Sequence, residues 1–151
     1  MFDSNKMLNL GFAFLNAGEA NFHEGAIKQR SVYQNVAGVV NLAFACELFM
    51  KCLLNMNETE MRVHRLADLW HKYKVICGDK ASEIETAVMK RLDTGFTFEE
   101  MIQDDDNVFD DYRYFFEPGH LNEITNKTLR PQFLRVLAHV LYIYLDNELT
   151  R

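Results

Sequence analysis

From Gln34 to Asn55 the apolar residues recur every three or four positions: Val36, Val39, Ala43, Cys46, Met50 and Leu53, widened by Val40 and Leu54. That spacing predicts one long amphipathic helix, about 30 Å from end to end at about 1.5 Å per residue. Ser31 with Gln34 supplies a capping box at its start. A proline-free helix of that length is the natural spine of a bundle. On it Glu47 falls inside the apolar arc, near Ala43 and Met50, with Lys51 at the edge one turn on. A carboxylate aimed into a core is costly unless it is paired. Two readings follow. Either Glu47 and Lys51 form an ordinary ion pair at the rim, or Glu47 orients an arginine or histidine from another helix beside a functional cleft.

The same periodicity predicts helix along most of the chain. A first helix covers about Asn5–Glu19, with Leu8, Phe12 and Leu15 on one face and Asp3 or Ser4 as cap. The glycine-containing stretch Asn21–Arg30 is a loop or a continuation of it. After a polar connection, Arg65–Val75 reads as a short amphipathic helix stopped by Gly78. Ser82 with Glu85 predicts a capping box opening a helix to about Leu92, and Thr97 with Glu100 predicts another. Asp105 would break the apolar stripe of that last segment, so a kink is expected there. Asp105 or Asp106 then caps a helix through Phe116, ended by Pro118-Gly119. The final helix runs from Pro131 to about Leu149. It is apolar over more than half its circumference, with a polar strip of Arg135, His139 and Asp146, so it needs burial on two sides or a subunit interface. No alternating Val/Ile/Thr run predicts a strand. The expected fold is an all-α, antiparallel up-down bundle of five to six helices, one domain over residues 1–151.

Composition narrows the function classes. No apolar run approaches the roughly 18 residues of a membrane span, and MFDSNKMLNL lacks the pattern of a secretory signal. Three cysteines without a C-x-x-C pattern point to reduced, buried thiols and a cytoplasmic protein. A net charge of −6 argues against a sequence-blind nucleic-acid coat. No metal or cofactor is expected. His64 and His71 are two turns apart, about 10 Å, too far for one ion. The aspartates at 104–106, 110 and 111 lack the glycine and closing glutamate of a calcium loop. The segment Arg62–Lys74, with Trp70 and Tyr73 between its cations, is the best local patch for phosphate or RNA, although one face of it must pack into the core. Tyr112, Tyr114, Phe115 and Phe116 are too many aromatics for one helix face, which favours a dimer or a stacking pocket.

Three stretches together resemble the HEPN family of small helical domains (higher eukaryotes and prokaryotes nucleotide-binding). FACELFMKCLL at Phe44–Leu54 is similar to its Glu-x-x-x-Lys helix. HRLADLW at His64–Trp70 is similar to its His-x-Leu-x-x-Leu element. FDDYRYFFE at Phe109–Glu117 resembles an aromatic-Arg-Tyr-x-x-Glu segment. The resemblance covers roughly residues 30–146. It implies a dimerising helical bundle tied to RNA cleavage, toxin–antitoxin pairs, phage defence or a partner nucleotidyltransferase. The ribonuclease branch carries Arg, four to six residues, then His. Arg holds a phosphate, and His moves a proton from the ribose 2′-OH without a metal. Arg113 and His120 have six residues between them. Arg65 and His71 satisfy the same window, so spacing alone does not single out the first pair. Tyr114 stands where the active branch has a polar residue, and Pro118-Gly119 precedes His120.

The expectation is therefore a homodimeric HEPN-like module with Glu47, Lys51, His64, Arg65, Arg113 and Tyr114 around a cleft. It would bind RNA, a nucleotide, or a partner such as an antitoxin or nucleotidyltransferase, without strong catalysis of its own. One alternative is a metal-independent endoribonuclease using Arg113 and His120. Another is a purely structural interaction protein.

Overall fold

The computed structural model describes residues 2–22, 32–106, 108 and 131–150, and the side chains of 32 and 33 are not described. Among the described residues there are six helices and no strand: α1 Ser4–Ala20, α2 Val32–Met56, α3 Leu66–Ile76, α4 Gly78–Met89, α5 Phe98–Asp104 and α6 Pro131–Leu149. The chain is an all-α bundle, and α2 is its spine, packed against α1, α3 and α6. The expected capping box at Ser31 lies outside the described residues.

Burial on α2 is two-sided. Leu42, Ala45, Phe49 and Cys52 join the expected stripe in the core, because three helices surround it. Within Gln34–Met56 an 18-residue window reaches a mean hydropathy of 1.7, that of a membrane span, contrary to the count of uninterrupted apolar residues. The apolar side chains are instead covered by protein, as a core helix requires.

Asp3 caps α1, its carboxylate accepting from the Lys6 N–H at 3.1 Å. Gly11 lets α1 lie close on α2. A Cβ there would stand 2.5 Å from Phe49 Cε1, and Phe49 is fully buried. Asn55, near the end of α2, ties down the chain start. Its amide donates to the Phe2 carbonyl (2.9 Å) and Ser4 Oγ (2.7 Å) and accepts from the Phe2 N–H (3.1 Å).

The helix after α2 departs from expectation at its far end. Gly78 does not stop α3; it opens α4, four residues ahead of the expected start at Ser82. The break is at Cys77, whose φ of −132° and ψ of 56° leave the helical region. Ser82 and Glu85 therefore sit inside α4 rather than forming a capping box. Glu85 instead accepts from Trp70 Nε1 (2.9 Å) and Lys74 Nζ (2.8 Å). The Thr97–Glu100 box at α5 is present with both reciprocal bonds.

The helix α5 ends at Asp104, as the inward-pointing acid required, but Asp106 is the buried one, at 3% exposure. It caps α3 from a distant part of the chain. Oδ1 accepts from the Ala67 N–H (2.8 Å), and Oδ2 accepts from Arg65 Nε (2.7 Å) and Nη2 (2.6 Å). The expected helix through Phe116 lies outside the described residues. The last helix, α6, has the predicted bounds and buries Phe133, Leu134, Leu137, Val140, Leu141 and Leu145 against α1, α2 and α4.

Of the three cysteines, Cys46 and Cys52 are fully buried and Cys77, expected to be buried, is half-buried at the α3–α4 corner. Burial raises the Cys46 thiol well above its ordinary pKa and pushes Cys52 up to about 11. A thiol reagent is expected to label one site in the folded protein, Cys77, and all three only in denaturant. Rapid labelling of Cys46 or Cys52 in native buffer would contradict this packing.

Candidate functional site

The site grows from the misplaced acid on α2. Glu47 is 5% exposed, and its Oε1 accepts from two donors: Lys51 Nζ at 2.7 Å and His64 Nδ1 at 2.9 Å. Lys51 reaches it because residues four apart share a helix face. His64 comes from the connection ahead of α3, so the second partner is supplied by a loop rather than by another helix. The two sequence readings thus combine: the i,i+4 pair exists, but it is inside the protein and it also orients a histidine. Glu47 Oε2 is buried without a hydrogen-bond partner among the described residues. The imidazole is the exposed part, with 74% of its side chain open to solvent, while Lys51 is 12% exposed.

Around this core the charges alternate. Arg65 adjoins His64 but turns to Asp106, with Asp68 4.0 Å away. Arg62 lies 3.1 Å from Glu60, and Lys74 pairs with Glu85. Trp70 and Tyr73 are fully buried, so they offer no stacking platform to bases. Apart from Lys72, whose ammonium meets no carboxylate among the described residues, the segment Arg62–Lys74 is therefore a mosaic of paired charges rather than a basic, aromatic patch. His71 does not share a face with His64; it bonds Glu99 on α5 at 2.7 Å. Among the described residues, no group of three His, Cys, Asp or Glu is placed to hold a metal ion. Arg113, Tyr114 and His120 lie outside the described residues.

A second polar cluster was not foreseen as one. Glu19 on α1 accepts from Arg135 Nε (2.8 Å) and Nη2 (2.7 Å) on α6, and His139 Nε2 lies 3.4 Å away. The polar strip of α6 is its only sequence signal. Arg135 also covers the Phe22 ring at 5.5 Å. Hydrogen bonding from Arg135 holds the Glu19 carboxyl below its ordinary value of 4.5. A depressed carboxylate pKa stabilises the fold above the unfolded value and loses that contribution as pH falls through the folded one. Arg135→Leu is therefore expected to destabilise most at neutral pH, its deficit against the parent shrinking below about pH 4.5. Parallel urea melts across that range check this; a deficit that grows on acidification would contradict it.

No family model matches this chain, and neither a curated protein nor a solved structure matches it.

Proposed function

We propose that the chain is a HEPN-like helical module that takes RNA or a nucleotide at the Glu47–Lys51–His64 site. The observation that carries this reading is the meeting of two of the family-like stretches. Glu47 and Lys51, from the Glu-x-x-x-Lys helix, bind the histidine that opens the His-x-Leu-x-x-Leu element. A buried acid held there contributes little to stability, since an apolar residue in its place is often as good or better. What it does is fix an exposed imidazole.

The module is read as a cytoplasmic homodimer, in keeping with its three free thiols, and as working beside an antitoxin or nucleotidyltransferase partner. Because Lys51, Arg62, Arg65 and Lys74 are paired with carboxylates, affinity comes from directed contacts rather than from charge density. Titration calorimetry with a single-stranded RNA oligomer and with ATP is expected to show saturable uptake by one of them. The salt dependence should be shallow, equivalent to about one or two phosphate contacts. No heat from either ligand would overturn the reading.

Specific surface features favour a second reading, a structural interaction protein. Ile143 on α6 is 53% exposed, and Phe12 on α1 is 39% exposed while stacked on Tyr142 at 4.6 Å. A groove of about 250 Å³ runs beside Ile143, between α4 and α6. Light scattering showing a clean monomer at all concentrations would weaken it and the dimer together.

A further inference from the structure

We infer that the outer face of α4, centred on Ala87, docks on the same face of a second copy of this chain. The inference rests on the homodimer reading above and supplies its contact surface, from residues far from the Glu47 site. Two hollows run along α4. One of about 250 Å³ lies against α6, and one of about 480 Å³ is lined by α4 and the two residues after it. Glu83, Ala87 and Arg91 line both. Spaced by four, they form one ridge with an acid at one end, a methyl in the middle and a base just past the helix end.

The charges of this ridge are unmatched within the chain. Glu83 meets no cation among the described residues, and Lys90 and Arg91 meet no carboxylate there; Arg91 donates only to the Ala87 carbonyl, at 2.6 Å. Inward and toward the other end of α4 the pattern differs: Glu85 takes Lys74, and Lys80 faces Glu148. Eight residues put Glu83 and Arg91 about 12 Å apart, too far to pair with each other. They are, however, equidistant from Ala87. Two α4 helices laid antiparallel across a two-fold axis at Ala87 set Glu83 against Arg91 of the partner subunit, and the reverse pair follows by symmetry. The small side chain at the axis lets the backbones approach. The same axis lays the hollow against α6 over its own counterpart, so Ile143, 53% exposed on its wall, is covered from the other copy. Any other occupant would need an acid and a base at this same interval; a second copy carries them already. Exposed ion pairs set register more than affinity. The contact is therefore reversible and held by apolar burial at Ala87 and Ile143.

Sedimentation velocity on the full chain, over a concentration series in low salt, tests this. The parent is expected to show a reversible monomer–dimer equilibrium. Arg91→Glu and Glu83→Arg, both on exposed side chains, are each expected to weaken it at least about tenfold, because like charges then face across the axis. Mixed in equal amounts, the two variants are expected to associate about as tightly as the parent, since every 83–91 contact between them again joins an acid to a base. A dimer untouched by either change would overturn this surface and leave the homodimer itself standing. A mixture no tighter than the separate variants would do the same. A parent that stays monomeric throughout would bring down the homodimer reading as well.

Discussion

Trp70→Ala is expected to cost about 3–5 kcal/mol in urea denaturation, the range for deleting a large buried aromatic. Trp70 is fully buried, with the rings of Tyr73 at 5.6 Å and Phe98 at 5.3 Å. Phe98 in turn meets Phe133 edge-on at 5.4 Å, so one aromatic chain joins α3, α5 and α6. Removing the indole empties the middle of that chain and also takes the Nε1 donor from Glu85. Trp70→Phe separates the two effects. It keeps most of the buried ring and loses only the charged hydrogen bond, for about 1.5–3 kcal/mol. Circular dichroism follows both variants, since Trp70 is the protein's single tryptophan and its fluorescence is lost with it. An alanine variant within about 1 kcal/mol of the parent would mean the cluster is not packed as described.

Lys51→Met is expected to cost about 3 kcal/mol. The comparison that decides the size is between two kinds of ion pair. An exposed i,i+4 pair contributes about 0.3–0.5 kcal/mol, because water and salt screen it. Removing one partner of a buried pair costs about 3–5 kcal/mol, because the other charge is left stranded. Here the side chains of Lys51 and Glu47 are 12% and 6% exposed, which places the pair in the second class. The low end of that range applies because His64 still donates to Oε1. Denaturant melts at neutral pH, in low and high salt, check it; the loss should persist in high salt, where a surface pair would already have been screened.

What the sequence made legible was local. Asp3, the Thr97–Glu100 box and Pro131 act within a turn of their own position, and each marks a helix start in the fold. The misfit of Glu47 in an apolar stripe was equally visible, because periodicity places it without knowledge of any neighbour. Its partner was not. His64 is 17 residues away, across a connection whose turn is closed in the left-handed region by Glu58, at φ 54°. The Thr59 N–H bonds to the Leu54 carbonyl and the Glu58 N–H to that of Asn55, a helix stop that normally advertises itself by glycine.

Long-range capping was hidden for the same reason. Asp106 serves the Ala67 N–H from 39 residues off, and Glu19 reaches Arg135 across 116. Charge runs mark such residues only as polar. Trp70 and Tyr73 could be read two ways, as the apolar face of a short helix with Leu66 and Leu69 or, interleaved with cations, as a binding surface; their spacing on α3 turns both into the core.

The Glu47 carboxylate lies clamped inside the bundle, and a double-mutant cycle with Lys51 reads that burial out. Glu47→Leu with Lys51→Met removes both buried charges together and leaves apolar side chains of similar volume. The double variant is expected to recover to within about 1 kcal/mol of the parent, though Lys51→Met alone loses about 3 kcal/mol. Additive losses, or a Lys51→Met penalty below about 0.5 kcal/mol, would put the pair at the wet rim and leave His64 with nothing to hold it.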